Sequence, residues 1–220
     1  MIRILLVDDQ ALVRAGFRSI LEKQPDFEVI GEAADGREAL RLAAVSTVDV
    51  VLMDIRMPVL DGLGATRELM RTTAPPRIIV LTTFDADEHV YHALRAGAAG
   101  FLLKDTSPER LIQAVRDVMT DESMLSPVIT KRLIAAFVDS PPPNEGGVPD
   151  AFSGLTDREL DVLRHLALGA SNAEIGQALF LAETTVKTHI AHILAKLDVR
   201  DRVQAVVAAY EGGLVRPRFP

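Results

Sequence analysis

The 220-residue chain has no cysteine. That absence excludes disulfides, thiolate zinc sites and thiol catalysis. Long apolar runs are also missing. No window approaches the roughly 18 consecutive apolar residues of a membrane span. The first residues, Met1-Ile-Arg-Ile-Leu-Leu-Val-Asp-Asp, form too short an apolar run for a signal peptide, so a cytoplasmic location with no membrane partner is expected. An excess of positive charge is lacking too. The formal net charge is −7, which argues against a constitutive nucleic-acid binder held by electrostatics alone. Apart from one Pro/Gly-rich stretch there is no low-complexity tract, and no internal repeat.

The charge is unevenly spread. From Ser153 onward there are eight basic and eight acidic side chains. The first 152 residues therefore hold 16 basic and 23 acidic side chains and carry the whole imbalance. An acidic half and a neutral half read as different modules.

The first half alternates short apolar runs with helical patterns. Strands are expected at Ile2–Val7, Glu28–Ala33, Val48–Met53, Ile78–Thr82 and Gly100–Leu103. Helices are expected at Ala11–Lys23, Gly36–Val45, Leu63–Arg71, Glu88–Ala96 and Pro108–Met119. In the first helix, Leu12, Ala15, Ile20 and Leu21 are taken as the inward face. The strands read as predominantly apolar runs, as in sheets buried on both faces. Five strand–helix pairs predict an α/β fold, a doubly wound five-stranded parallel sheet whose ligands bind outside the carboxyl ends of the strands.

A further helix is expected over Ser126–Val138, with Pro127 at its first position. Positions 140–149, Ser-Pro-Pro-Pro-Asn-Glu-Gly-Gly-Val-Pro, read as a linker. Beyond it, Thr156 with Glu159 gives a capping-box signature. Helices follow from there to about Leu168, then at Asn172–Leu179, Glu183–Leu197 and Arg202–Glu211, an all-α four-helix domain. The second and third have helix-turn-helix spacing. By composition alone that spacing is weak, since most helix pairs only pack. The boundaries are thus 1–120, a linker at 121–152, and 153–220.

The polar residues of the first half fall at strand ends. Asp8 and Asp9 end the first strand, Asp54 the third, Thr82 the fourth and Lys104 the fifth. One such Asp is usually a solvated turn residue, Lys104 alone a surface lysine, and Thr82 alone a strand residue. Their joint placement is different, because these ends share one edge of a doubly wound sheet. Crowded carboxylates call for a divalent cation, and Mg²⁺ takes carboxylates, waters and phosphate oxygens. Lys104 adds a point charge for an anion and Thr82 a hydroxyl donor. The set suits a phosphoryl-accepting Asp54.

The segments Val7-Asp8-Asp9, Met53-Asp54-Ile55-Arg56-Met57-Pro58-Val59-Leu60-Asp61-Gly62, Leu81-Thr82-Thr83 and Gly100-Phe101-Leu102-Leu103-Lys104-Asp105 resemble the CheY-like receiver domain of bacterial response regulators. The resemblance covers about residues 1–120. It implies Asp54 as phospho-acceptor and Lys104 as the phosphate-pairing lysine. It implies Asp8, Asp9, Asp54 and the Arg56 main-chain carbonyl around Mg²⁺. Thr82 and Phe101 would be the switch pair, with Phe101 in place of a frequent Tyr. Asp105 stands where many receivers have Pro.

Leu155-Thr156-Asp157-Arg158-Glu159-Leu160, Asn172-Ala173-Glu174-Ile175 and Thr185-Val186-Lys187-Thr188-His189-Ile190 resemble the LuxR-type DNA-binding domain over about residues 153–214. Together with a receiver this is similar to the NarL/FixJ subfamily. The resemblance implies Lys187 and Thr188 facing the major groove, with Thr185, His189 and Lys196 near phosphates. Val186, Ile190, Ile193 and Leu197 read as core. His192 reads as a solvated residue at least as well as a contact. Ala182 replaces the family's usual capping Ser, a loss of about 1 kcal/mol, and Ala191 stands where some relatives read a base. In the last helix, Val203, Val206, Val207 and Tyr210 are the expected dimer surface, or else core. A sensor histidine kinase, double-stranded DNA and a second copy are the implied partners.

Two other readings compete. An aspartate-nucleophile phosphatase needs a second acid two residues after the nucleophile, where Arg56 stands, and leaves the helix-turn-helix unexplained. A receiver that no longer accepts phosphate would lack an acidic residue or Lys104, and all are present. Turnover of an external substrate is not expected, so the chain does not read as an enzyme.

Overall fold

The computed structural model describes residues 1–82, 92–120 and 149–215. The chain divides into two compact units, Met1–Met124 and Leu125–Pro220. The expected helix over Ser126–Val138, nearly all of the linker at 140–149, Thr83 and the start of the helix at 88–96 lie outside the described residues.

The first unit contains β1 (Ile2–Val7), α1 (Ala11–Leu21), β2 (Phe27–Ala33), α2 (Gly36–Val45), β3 (Val50–Asp54), α3 (Gly62–Met70), β4 (Arg77–Thr82), β5 (Gly100–Leu103) and α4 (Pro108–Thr120). A helical stretch at 92–95 precedes β5. The strands form one sheet in the order β2-β1-β3-β4-β5, and every pairing is parallel. The crossover from β1 through β2 to β3 reverses direction at β1/β3, so the crevice opens where Asp8, Asp9 and Asp54 stand. Strand side chains alternate between faces. Ile4, Leu6, Val50, Leu52, Ile79, Leu81 and Leu102 pack with Phe17 and Leu21 of α1 and with Leu111, Val115 and Val118 of α4. Thr82 and Phe101 fall on the opposite face by that alternation, and both are buried.

The inward face of α1 differs from the expectation. Leu12 is 86% exposed and Ala15 is exposed, whereas Phe17 and Leu21 are buried with Val13 and Ile20 packed beside them. At about 100° per residue, Val13, Phe17, Ile20 and Leu21 fall within one apolar stripe, while Leu12 and Leu21 lie on opposite sides of the helix.

The loop after β3 is shaped around the strand end. A Cβ on Gly62 would lie 1.9 Å from the Asp54 carbonyl oxygen, so only glycine lets α3 start there. The Gly62 N–H donates to the Ile55 carbonyl at 2.9 Å. Asp61 caps α3 by accepting from the Gly64 N–H at 2.7 Å. Val59 takes a left-handed φ of 66°, a strained setting for a β-branched residue.

The second unit has a 3-10 turn (Asp150–Phe152) and α5 (Asp157–Ala167), α6 (Asn172–Leu179), α7 (Glu183–Leu197) and α8 (Arg202–Glu211). Thr156 and Glu159 form the expected capping box, Ser171 and Glu174 form a second, and Asp201 caps α8. α7 begins at Ala182 with no side-chain cap. α8 corrects an expectation. Val203, Val206, Val207 and Tyr210 are buried, and seven of the ten α8 residues are. The Tyr210 hydroxyl donates to the Ala167 carbonyl at 2.9 Å. These residues are core rather than a dimer surface, because a short domain must bury its last helix to close itself. Among the described residues, no helix is long and apolar enough to cross a membrane.

Candidate functional site

Asp8, Asp9 and Asp54 each offer a carboxylate oxygen, and these lie within 4.8 Å of one another. Asp8 and Asp54 are buried and Asp9 is exposed. Parallel pairing produces this. Val7 pairs with Met53, Asp54 with Leu81, and Thr82 with Leu103, so the strand ends stand level. The Lys104 N–H donates to the Thr82 carbonyl at 2.8 Å, which carries Lys104 to the same edge. Its Nζ lies 2.7 Å from Asp8 Oδ2 and 2.9 Å from Asp54 Oδ2.

One ammonium serves two buried carboxylates. Burial pushes the Asp54 pKa above the ordinary value, and Asp8 adds to this; Lys104 and the Arg56 N–H oppose it without prevailing. Burial works against the Lys104 cation, yet Asp8 and Asp54 together hold its pKa above the ordinary value. Three carboxylates thus face one lysine ammonium. Hard oxygen donors at this spacing fit a small divalent cation. The Arg56 main chain adjoins Asp54, with its amide bonded to that carboxylate.

Other groups orient Asp8. The Gln10 N–H donates to Asp8 Oδ1 at 2.9 Å. Arg14 Nη1 donates to the Asp8 carbonyl at 2.6 Å, and its Nε donates to Glu32 Oε2 at 3.1 Å. Sequence reading passes over Arg14, because its partners come from two neighbouring strands. Its only linear sign is a cation bordering the Val13–Phe17 stripe.

In the second unit, Val186, Ile190 and Ile193 anchor α7. Thr185, Lys187 and Thr188 are exposed and His189 is half-buried. Lys187 is 48% exposed, with Glu183 a loose 3.9 Å away. The Thr188 hydroxyl donates back to the Thr184 carbonyl at 3.1 Å. Ala191 and His192 are exposed.

Lys196 has a partner inside the domain. Its Nζ donates to Glu159 Oε2 at 2.7 Å, and the Glu159 side chain is only 4% exposed. The same oxygen accepts from the Thr156 N–H at 2.7 Å and hydroxyl at 2.9 Å. Burial alone would raise the Glu159 pKa, but Lys196 and Thr156 outweigh it and bring the carboxyl down to about 2. Glu159 therefore ties α7 to the start of α5. The capping box pointed to Glu159; the attachment of Lys196, 37 residues away, was not legible.

Known proteins match both units. Residues 4–116 match the response regulator receiver domain, and residues 153–209 match the bacterial regulatory proteins of the luxR family. The transcriptional regulatory protein LiaR of Bacillus subtilis is 44% identical over 215 residues, spanning 98% of this chain and 100% of its own. The transcriptional regulatory protein DegU of Brevibacillus brevis is 37% identical over 227 residues, spanning 99% and 96%. The crystal structure of the response regulator ChrA, from a heme-sensing two-component system, is 37% identical, spans 97% of this chain and 98% of its own, and has a TM-score of 0.52. Given that the two matches cover the two units and the relatives match end to end, the chain belongs to the two-component response regulators of the NarL/LuxR family, which regulate transcription through a receiver and a LuxR-type DNA-binding domain.

Proposed function

We propose that Asp54 accepts a phosphoryl group from a sensor histidine kinase, and that phosphorylation controls dimerisation and sequence-specific DNA binding. One observation carries the reading: a single lysine ammonium stands 2.7 and 2.9 Å from two buried carboxylates at the switch point of a parallel sheet. An Asp54 oxygen attacks the phosphorus of a phosphohistidine. The P–N bond breaks, and its electron pair leaves with the imidazole. Asp8, Asp9, Asp54 and the Arg56 carbonyl would hold Mg²⁺, which when bound supplies positive charge to the phosphoryl oxygens. Lys104 turns from the carboxylates to pair with the transferred group. Thr82 donates its hydroxyl to a phosphoryl oxygen, and Phe101 on the same face follows. The protein itself is phosphorylated, so no external substrate is turned over.

Intact-mass measurement with acetyl phosphate and Mg²⁺ tests this. One phosphate should be added to the native chain and none to Asp54→Asn. Mg²⁺ should also raise the melting temperature of the native chain, and raise that of Asp54→Asn less. Equal labelling of Asp54→Asn would move the acceptor elsewhere.

On the DNA side, Lys187 and Thr188 read the major groove while Thr185 and His189 approach phosphates. Lys196 contributes by fixing α7 through Glu159 instead of reaching a phosphate. The second half has no net charge, so one copy binds weakly and two copies on adjacent half-sites bind well. The phosphodonor should raise both the dimer fraction in sedimentation and the DNA affinity. Tight binding by a phosphorylated monomer would contradict the dimer step.

A further inference from the structure

A cleft of about 330 Å³ opens between α3 and the helical stretch at 92–95, lined by Arg67, Arg71, His92, Arg95 and Ala96. The three arginines and His92 are exposed. The base of the cleft is fixed. Leu69, Ala93 and Leu94 are buried and anchor both helices to the core. A Cβ on Gly97, which takes φ 107°, would lie 2.7 Å from Met70 Cγ, so the turn after the 92–95 stretch closes directly on α3. Packed backbone therefore forms the cleft, and only its side chains are free to turn. The setting is acidic. In a half with 16 basic and 23 acidic side chains, three guanidinium groups gather around one small volume.

Basic residues often stand at helix C-termini, where they meet the terminal carbonyls. Here those carbonyls already have partners. The Glu68 and Leu69 carbonyls accept from the Arg71 N–H, and Leu69 also accepts from the Thr72 hydroxyl at 2.7 Å. The Leu94 and Ala93 carbonyls accept from the Gly97 and Ala98 N–H groups, each at 3.0 Å. Arg67 and Arg71 stand four residues apart on α3, where like charges repel. Glu68 Oε1 pairs with Arg71 at 2.6 Å, and Arg67 has no ion pair among the described residues. Two helix ends at about half a charge each, with Glu68, set about two negative charges against three guanidinium charges. The balance stays positive.

A guanidinium fork matches the paired oxygens of a phosphoryl group and grips them with two parallel hydrogen bonds. Three forks offer more donors than one tetrahedral anion accepts at once, whereas two linked phosphoryl groups accept them. The volume lies at the small end of ligand sites, so it suits a compact anion and not a polymer. We propose that the cleft binds a diphosphate group, either free pyrophosphate or the diphosphate of a nucleotide. Arg67, Arg71 and Arg95 hold its oxygens, with a His92 ring N–H beside them. The site uses none of Asp8, Asp54 or Lys104, so it goes beyond phosphoryl transfer and stands independently of it. A bound anion ties α3, which begins after the Asp54 loop, to the stretch that leads into β5.

Isothermal titration of the full chain with sodium pyrophosphate is the test. It is run at low salt and with EDTA, so that no metal carries the anion to the acidic pocket. One site per chain is expected. Arg67→Ala and Arg95→Ala should each weaken binding at least about tenfold, the scale of a lost charge-assisted hydrogen bond. Both side chains are exposed, and circular dichroism should show both variants folded. Arg41→Ala removes an exposed arginine of α2, paired with Glu38 at 3.1 Å, and should leave binding unchanged. Inorganic phosphate, with one phosphoryl group fewer to grip, should bind at least about tenfold more weakly than pyrophosphate. In a calorimetric scan, pyrophosphate should raise the transition that Mg²⁺ moves and leave that of the DNA-binding unit in place. ADP distinguishes the sources: binding as tight as that of pyrophosphate assigns a nucleotide, and clearly weaker binding assigns the free anion. The proposal is overturned if pyrophosphate does not bind, if phosphate binds equally, if both alanine variants bind as the native chain does, or if only the DNA-binding unit responds.

Discussion

Ala182→Ser should stabilise the DNA-binding unit, and the size of the effect can be worked from its neighbours. Ala182 already has the extended N-cap conformation, φ −67° and ψ 146°. The Thr156, Ser171 and Asp201 side chains accept from the third helical amide at 3.3, 3.2 and 3.0 Å. Among the four described α-helices of this unit, only α7 starts without such a bond. A serine at 182 would place its Oγ to accept from the Thr185 N–H. Replacing Ala by a good cap is worth about 0.5–2 kcal/mol. The Thr185 N–H already reaches the Ala182 carbonyl at 2.9 Å, so it is not a fully orphaned donor. The gain therefore belongs near the low end, about 0.5–1 kcal/mol. For a domain of this size that is a rise of roughly 2–8 °C in Tm. Calorimetry of the full chain is the assay. Mg²⁺ should move the transition of the first unit, which identifies the other as the DNA-binding one. Ala182→Val, an equally poor cap, should give no gain. The reasoning is refuted if the serine variant melts unchanged, if valine matches it, or if the Mg²⁺-sensitive transition is the one that rises.

Glu159→Gln should loosen the second unit at neutral pH by breaking the Lys196 pair. The folded pKa is about 2 against an ordinary 4.5, so the native advantage is full above pH 4.5 and fades as pH falls towards about 2. Acid titration of the difference in Tm checks this, and a pH-independent difference would contradict it. On α1, Leu12→Ser should alter stability by no more than about 0.5 kcal/mol. Phe17→Ala should cost about 3–5 kcal/mol. Urea denaturation of both variants decides which face of the helix is inward, and equal losses would count against the packing described.

Much of this was written in the linear order of residues. Continuous apolar runs such as Ile4–Val7 and Val50–Met53 suit strands covered on both faces, and parallel pairing then brings their polar ends to one edge. That logic located Asp8, Asp54 and Lys104 together, since strand register depends on backbone pairing and not on distant side chains. Helix starts were legible for a similar reason. Thr156 with Glu159 acts across three residues, and the missing cap at Ala182 is equally local. What tertiary structure decided involves partners far apart in sequence. It turned Leu12 outward, because the bulk of Phe17 and Leu21 sets which arc of α1 meets the sheet. It enclosed the valines of α8, because the chain returns to lay that helix against α5 and α7. It set Lys196 on Glu159 and brought Arg202 to the Asn172 side chain and the Ala170 carbonyl. A sequence states that a side chain is charged; whether its field meets an acid, a helix end or the phosphate of another molecule depends on where the chain returns in space.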